Sequence, residues 1–275
     1  MDEVGYVSGQ TRLFGIVGHP IAQVRSPEMV TAELVGRGLN AVLVPLHVLP
    51  QDFEPCLRSL KRLQNLDGLI FTTPFKQTAL ALADELTVQA REVGAINALA
   101  CREDGTWIGD IFDGLGCVEA FRRRDYPLAG RAIMLIGAGG AGRAIAIAIA
   151  HVGPRALRIF DIEPERARRL ADEVAAIDPT IEVSVGEPSV EGIDILLNAS
   201  PVGMLSDPRM PIEATRLPAE LIVFDAIVKP EPTKLLALAR ESGCRTVMGR
   251  EMMRGQISKI VDFYQLQNGK RLTAG

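Results

Sequence analysis

Short apolar runs alternate with amphipathic stretches along most of the chain. Leu13–Val17, Ala41–Leu46 and Gly68–Thr72 have the length and aliphatic content of buried strands, and the stretches Ser26–Arg37 and Asp52–Leu63 between them have helical spacing. Ser26-Pro27-Glu28 reads as a helix start, with serine as N-cap and proline at the first helical position. Short helices are expected at Gln77–Asp84 and Thr87–Val93. Strands at Ala95–Cys101 and Thr106–Ile108 follow, joined by the turn Glu103-Asp104-Gly105. Gly109–Gly116 reads as a crossing between domains, running into a helix at Gly114–Arg124. Beyond it the pattern predicts strands at Ala132–Ile136, Ala156–Phe160, Glu182–Val185, Ile193–Asn198, Leu221–Asp225 and Arg245–Met248. Helices are expected at Ala144–Val152, Pro164–Ile177, Thr233–Ser242 and Glu251–Gln267. The last carries Met252, Met253, Gln256, Ile257, Ile260 and Phe263 at mixed helical spacing; its methionines read as core filling, and the helix is expected to pack back on the first domain. This alternation predicts an α/β protein with mostly parallel sheets covered by helices. Two domains are expected, 1–113 with 250–275, and 114–249.

One stretch adds chemistry to the pattern. The apolar run Ala132–Ile136 ends in Gly137-Ala138-Gly139-Gly140-Ala141-Gly142, and a helix of small apolar residues follows. Gly137 permits the tight turn, Gly139 lets the backbone approach a pyrophosphate, and Gly142 lets the helix pack close to the strand. The helix N-terminus offers N–H groups and a positive dipole end to the phosphates. The next strand ends at Asp161, about 20 residues past the glycines, as the dinucleotide fingerprint asks. A Rossmann-type domain is therefore expected, with Gly137, Gly139, Gly140, Ala141, Gly142 and Asp161 at the cofactor.

Composition narrows the picture by exclusion. The 275 residues are 47% apolar and 23% charged, with a net charge of −4, so there is no basic footprint for nucleic acid. Cys56, Cys101, Cys117 and Cys244 are scattered, which argues against a disulfide framework and fits a reducing cytoplasm. His19, His47 and His151 are too dispersed to suggest a metal centre, and no metal is expected. No apolar run reaches membrane-spanning length and no signal peptide is evident, so a cytoplasmic protein acting on a small molecule, as monomer or homodimer, is expected.

Several separated segments agree with one family. Gly18-His19-Pro20-Ile21 with Ser26-Pro27, Thr72-Thr73-Pro74-Phe75-Lys76, Ala95-Ile96-Asn97, Gly109 with Asp113-Gly114, the glycine turn, Asn198-Ala199-Ser200 with Gly203-Met204, Asp225 with Pro230 and Thr233, and Gly249 with Met252 and Gln256 occur in order. In this order the chain resembles the shikimate/quinate dehydrogenase family over nearly its whole length. The resemblance implies two α/β domains with the active site in the cleft between them. It implies reversible hydride transfer between NAD(P) and a secondary hydroxyl of shikimate, quinate or a related hydroxylated cyclic carboxylate. By the same resemblance Lys76 transfers the hydroxyl proton and Asp113 is its partner and a substrate ligand. Thr72, Asn97 and Gln256 match positions that bind ring hydroxyls, Ser26 matches one of two serines that grip the carboxylate, and Asn198, Ser200 and Gly249 match cofactor positions. The chemistry fits the residues. A lysine that accepts a proton must be neutral part of the time; desolvation favours that form and a nearby carboxylate opposes it, so a Lys–Asp pair is a tuned proton relay.

The departures change the expectation. Gln23-Val24-Arg25-Ser26-Pro27 puts Val24 where the family has the first serine, Val228 stands where it has a tyrosine, and Ile111-Phe112 replace Asn-Thr before Asp113. Weak use of shikimate is expected, with Arg25 reading first as a solvated loop charge. NADP-using relatives carry Asn-Arg-Thr where this chain has Asp161-Ile162-Glu163, which favours NAD over NADP, and Arg166 and Arg168 read as helix-surface charges. The alternatives are a non-catalytic NAD-binding sensor with a remodelled pocket, which has no need of Lys76 and Asp113 together, or another two-domain NAD(P) dehydrogenase.

Overall fold

A computed structural model describes residues 7–22 and 24–268, so Gln23 of the expected substrate motif and residues 1–6 and 269–275 of the expected first domain lie outside the described residues. The chain divides into two compact units. One is the chain up to Phe112 with the chain from Ile257 on; the other is Asp113–Gln256. That division puts Asp113 and residues 250–256 with the second unit.

The first unit contains β1 (Arg12–Gly18), α1 (Ser26–Gly36), β2 (Ala41–His47), α2 (Phe53–Leu60), β3 (Leu66–Phe71), β4 (Glu85–Leu86), α3 (Val88–Val93), β5 (Ala98–Cys101) and β6 (Trp107–Asp110). Its sheet has the order β2-β1-β3-β5-β6-β4. β1 pairs parallel with β2 and β3, and β4 with β6, whereas β5 runs antiparallel to both its neighbours. On one face Val17, Phe53, Leu57, Leu69, Phe71, Phe75 and Trp107 form a core. On the other, the Phe14 and Tyr264 rings lie 4.6 Å apart, and the buried Tyr264 hydroxyl donates to the Leu69 carbonyl at 3.0 Å. Gly68 is needed there, because a Cβ would fall 2.6 Å from the Tyr264 ring. Tyr264 belongs to the last helix, whose end is fixed by Asn268 Nδ2 donating to the carbonyls of Asp67 and Cys101 at 2.9 and 2.8 Å.

The second unit contains α4 (Asp113–Arg123), β7 (Ala132–Ile136), α5 (Gly140–Ala150), β8 (Ala156–Phe160), α6 (Pro164–Ile177), β9 (Glu182–Val185), β10 (Ile195–Asn198), β11 (Ile222–Asp225), α7 (Lys234–Glu241) and β12 (Arg245–Met248). The boundary at 256 falls inside α8 (Gly249–Asn268). All strand pairings are parallel, in the order β9-β8-β7-β10-β11-β12. That is the 3-2-1-4-5-6 order of a doubly wound dinucleotide-binding sheet. β7 is buried on both faces: Ile133 and Leu135 join the core under α4, α5 and α6, and Met134 and Ile136 join the core under α7. This is why the strand reads as a continuous apolar run rather than an alternating one.

Several element limits differ from the sequence expectation. Ser26 is not the cap of α1: the N-cap is Arg25, already near the helical region at φ −108° and ψ −4°, with no side-chain hydrogen bond. The Arg25 guanidinium instead pairs with Glu28 across the first turn at 2.6 Å. The stretch 77–84 forms only a 3-10 turn, Thr78–Leu82, and Asp52 closes a 3-10 turn ahead of α2. β5 starts at Ala98 rather than Ala95, because the Ile96 N–H is drawn to the Lys76 carbonyl at 2.9 Å. The crossing is shorter than expected. β6 runs on to Asp110, whose carbonyl accepts from the Asn97 N–H at 2.9 Å, and α4 starts at Asp113, leaving only Ile111 and Phe112 between them. None of the described helices is long and apolar enough to cross a membrane.

Candidate active site and dinucleotide site

In the first unit, the expected substrate residues lie past the carboxyl ends of β1 and β3 and at the amino end of β5, which runs antiparallel to β3. β3 ends at Phe71, and the Thr72 N–H donates to the Val17 carbonyl at 3.0 Å, so Thr72 stays beside the end of β1. Phe75, 2% exposed, stacks on Phe53 with centroids 4.4 Å apart. That anchor fixes the backbone of Lys76 from one side, and the Ile96 N–H fixes it from the other. Asn97 follows directly, 1% exposed, its carbonyl accepting from the Phe71 N–H at 2.9 Å. Thr72, Lys76 and Asn97 are thus brought together by backbone hydrogen bonds. The Asn97 side chain divides its two functions. Oδ1 accepts from the Phe112 N–H at 2.9 Å, and Nδ2 is buried without a hydrogen-bond partner among the described residues. A buried amide donor in that state is costly unless something accepts from it. Ser26, half-buried, opens α1 in the loop that leaves β1, and Val24 precedes it, also half-buried.

In the second unit, Asp113 opens α4 and is buried, with Oδ1 accepting from Gln256 Nε2 at 3.0 Å. Glycines make this placement possible. A Cβ on Gly114 would fall 2.0 Å from the Ala144 carbonyl oxygen, and one on Gly116 would fall 2.7 Å from that of Met252. α4 therefore packs backbone to backbone on α5 and α8, which puts Asp113 beside Gln256. Lys76 and Asp113 belong to different units.

The glycine turn has the form the fingerprint requires. Gly137 has φ +100°, a conformation open chiefly to glycine, and a Cβ there would fall 2.8 Å from the Ser200 nitrogen. A Cβ on Gly142 would fall 1.8 Å from the Gly137 carbonyl oxygen, so α5 touches the turn through its backbone. Gly139 and Gly140 face open space, Ala141 is half-buried beside them, and α5 begins without a side-chain cap. The turn lies at the carboxyl end of β7, next to β10, where the strand order reverses; this is where such sheets take their ligands. The residues fit a dinucleotide: open backbone where a pyrophosphate needs approach, and an uncapped helix N-terminus facing it. Gly249 opens α8, where a Cβ would fall 2.4 Å from the Ala226 carbonyl oxygen.

Asp161 has a task the sequence reading did not foresee. Its Oδ2 accepts from the Ala138 N–H of the glycine turn at 2.7 Å, and Oδ1 from the Glu163 N–H at 2.9 Å. A carboxylate offers about four acceptor sites, so capacity remains for a ribose hydroxyl. Ile162 beside it is 83% exposed. Arg166 pairs with Glu163 at 2.9 Å and Arg168 with Glu165, as surface charges do.

A buried polar cluster also went unforeseen. Asn198, Asp225 and Thr233 are at most 1% exposed and lie at the ends of β10 and β11 and ahead of α7. Asn198 Nδ2 donates to Asp225 Oδ1 at 3.1 Å, and Thr233 Oγ1 donates to Asp225 Oδ2 at 2.7 Å. Burial pushes the Asp225 carboxyl up to about 6, against the lowering effect of hydrogen bonds from Thr233, Ile227 and Asn198. The signal was present in the sequence as two apolar strands that each end in a polar residue. Among the described residues no group of three or more potential ligands could hold a metal ion.

Comparison with known proteins gives the family. A family model described as the shikimate dehydrogenase substrate binding domain matches residues 16–99. A protein of Rubrobacter xylanophilus named shikimate dehydrogenase (NADP(+)) is 36% identical over 90% of this chain and 88% of its own length. Among solved structures, shikimate 5-dehydrogenase from Listeria monocytogenes, in complex with shikimate and NAD, superposes with a TM-score of 0.88 at 27% identity, covering 95% of this chain and 94% of that one. The ligand-free 5-ketofructose reductase of a Gluconobacter strain superposes with a TM-score of 0.86 at 28% identity, covering 95% of each chain. Identity above 30% over most of both sequences, together with the matched domain and the dinucleotide fold, means that the chain belongs to the shikimate/quinate dehydrogenase family of NAD(P)-dependent oxidoreductases.

Proposed function

We propose that the chain interconverts a secondary hydroxyl and a ketone on a small hydroxylated ring, with Lys76 moving the hydroxyl proton and Asp113 as its partner and a substrate ligand. The observation that carries this reading is the convergence of Thr72, Lys76 and Asn97 at one edge of the first sheet, past the carboxyl end of β3 and at the amino end of the antiparallel β5, with the buried Asn97 Nδ2 left to donate. Thr72, Asn97 and Gln256 hold ring hydroxyls, and Ser26 holds an acidic or hydroxyl group at the far end of the ring. When bound, the nicotinamide cofactor supplies the hydride acceptor. The cofactor lies on Gly137, Gly139, Gly140, Ala141 and Gly142, with Asn198, Ser200 and Gly249 beside them and Asp161 at the ribose. A spectrophotometric screen for reduced cofactor with shikimate, quinate and neutral polyols tests the reading; no turnover with any of them, alongside intact cofactor binding, favours the non-catalytic sensor instead.

NAD is the preferred cofactor in this reading. A 2′-phosphate would meet Asp161 and Glu163 with Ile162 where a cation is needed, whereas a 2′-hydroxyl can donate to Asp161. We expect kcat/KM for NAD to exceed that for NADP at least about tenfold, the scale of one charge-assisted contact. Asp161→Ala would also release the Ala138 N–H, so the cleaner variant is Asp161→Asn with Ile162→Arg. It should narrow the gap by raising NADP efficiency; equal use of both cofactors by the unaltered enzyme would refute the preference.

A second reading concerns the substrate. Val24 and Val228 supply no donor where the family has hydroxyls, and Arg25, the nearest cation in sequence, is paired with Glu28. That favours a substrate lacking a carboxylate, in keeping with a structural relative that is a ketofructose reductase. An unsatisfied buried acceptor costs about 1–3 kcal/mol. We expect weak shikimate turnover, improved several-fold in kcat/KM by Val24→Ser and chiefly through KM, because a remote carboxylate binds ground and transition states alike. Steady-state kinetics of Val24→Ser and Arg25→Ala with shikimate decide it. Efficient shikimate turnover insensitive to both changes refutes the argument from the valines.

A further inference from the structure

The cofactor's floor is built from more than the glycine turn. At Gly137 a Cβ would meet the Ser200 nitrogen at 2.8 Å and the Ala199 carbonyl carbon at 2.9 Å, so the turn rests directly on the Ala199–Ser200 backbone. That backbone is held at one end by the strand pairing, with the Ala199 N–H donating to the Ile136 carbonyl at 2.8 Å. At the other end it is held by a side chain: Asn198 Oδ1 accepts from the Ser200 N–H at 3.1 Å and from Ser200 Oγ at 2.7 Å. Ser200 Oγ in turn accepts from the Val202 N–H at 3.2 Å.

An amide can hold Ser200 this way only if its carbonyl end points at the serine, and the opposite end fixes that orientation. Asn198 Nδ2 donates to the Val202 carbonyl at 3.0 Å and to Asp225 Oδ1 at 3.1 Å. Rotating the amide would set a carbonyl oxygen against two acceptors. Asp225 is fixed in its turn by the Ile227 N–H at 3.1 Å and by the Thr233 hydroxyl at 2.7 Å. Thr233 is the N-cap of α7, its Oγ1 accepting from the Leu236 N–H at 3.3 Å, so its one proton is directed to Asp225. Asn198, Asp225 and Thr233 are all buried, where such bonds are not exchanged for water.

We propose that Asp225 and Thr233 are positioning residues for the nicotinamide cofactor: acting through Asn198, they hold the Ser200 backbone against Gly137 and so set the shape of the surface on which the dinucleotide lies. This rests on the family's use of NAD(P) and on the glycine turn as its seat. Neither residue touches the cofactor in this account. Their effect falls on its affinity, equally for NAD and NADP, because the 2′ position is read at Asp161 on the other side of the turn.

The test is the fluorescence-detected Kd of NADH and NADPH, with kcat at saturating cofactor and the unfolding midpoint measured on the same samples. Asp225→Leu removes the acceptors, and about a tenfold rise in both Kd values is expected, with their ratio unchanged and kcat reduced less than twofold. Thr233→Val is expected to shift both in the same direction by a few-fold. Asp225→Asn, whose amide can still accept from Asn198 and donate to Thr233, should restore the affinity to within about twofold. Unchanged Kd values in a folded Asp225→Leu protein overturn the proposal, as does an Asp225→Asn variant as weak as the leucine variant. Should Asp225→Leu fail to fold, Thr233→Val decides, and an unchanged Kd there overturns it. Unaltered enzyme that binds neither cofactor would instead remove the reading on which the proposal rests.

Discussion

Lys76→Met is expected to lower kcat on the best substrate by about 10²-fold or more, the usual range for losing a general acid–base. The expectation of a selective loss comes from how the residue is held. Its backbone is placed by the Phe75 ring stacked on Phe53 and by the Ile96 N–H on its carbonyl, neither of which depends on the ammonium group. Methionine keeps the length of the side chain and removes only the group that carries the proton. KM and cofactor Kd should therefore change far less than kcat, and the unfolding midpoint should stay close to that of the unaltered protein. Retention of most of kcat would assign the proton transfer to another group, and Thr72 and Asn97 would then be ligands of a site organised differently.

Stability is expected to fall as pH rises through the range from about 4 to 6, to the extent that Asp225 governs it. The sign follows from the carboxyl's position. Its ordinary value of 3.8 is pushed up to about 6 in the folded chain, mainly by burial. Between these values the native state binds a proton that the unfolded chain has released, and stability declines with pH wherever the native state binds more protons. Above about pH 6 the cost is fully present, about 3 kcal/mol for a difference of roughly two pH units. Asp225→Asn cannot titrate and keeps the hydrogen-bond geometry, so its stability relative to the unaltered protein should rise by about that amount between pH 4 and pH 7.5. Urea unfolding of both proteins at the two pH values measures the double difference, in which the contributions of the other titrating groups cancel. A difference that does not change with pH would mean that the carboxylate is not penalised by burial.

Much of this molecule is legible in local sequence. β7 and the glycine turn were readable because strand, turn and helix are contiguous: Gly137 takes its positive φ within the turn, and Gly142 lies against Gly137 itself. α6, β9 and β12 match their expected limits because proline, turn residues and apolar spacing mark them locally. Motifs scattered from Gly18 to Gln256 carried the family resemblance, since most lie at strand ends or helix starts, where short runs of residue types stand out from the apolar pattern.

What could not be read is set by partners far away in the chain. The start of β5 moved because Ile96 bonds to Lys76, 20 residues earlier, an attachment no local propensity encodes. The cap of α1 moved from Ser26 to Arg25 because the backbone there is already close to helical and the arginine spans the turn to Glu28. Asp113 was readable as a candidate, but its contact with Gln256, 143 residues away, exists because Gly114 and Gly116 let three helices meet at backbone distance. Asp161 could be named for the ribose from its position, yet its grip on Ala138 depends on β7 and β8 lying side by side in register. Asn198 and Asp225 were readable as members of two separate motifs, but not as partners. Parallel pairing of β10 with β11 sets them opposite each other, and burial between two apolar cores turns a pair of ordinary polar residues into a directed hydrogen-bond chain. Patterns of a few residues specify elements and their chemistry, because helices, strands and turns are closed by near neighbours; the orientation of a side chain at a site is set by whichever groups the fold brings within hydrogen-bonding distance, and those are remote in sequence.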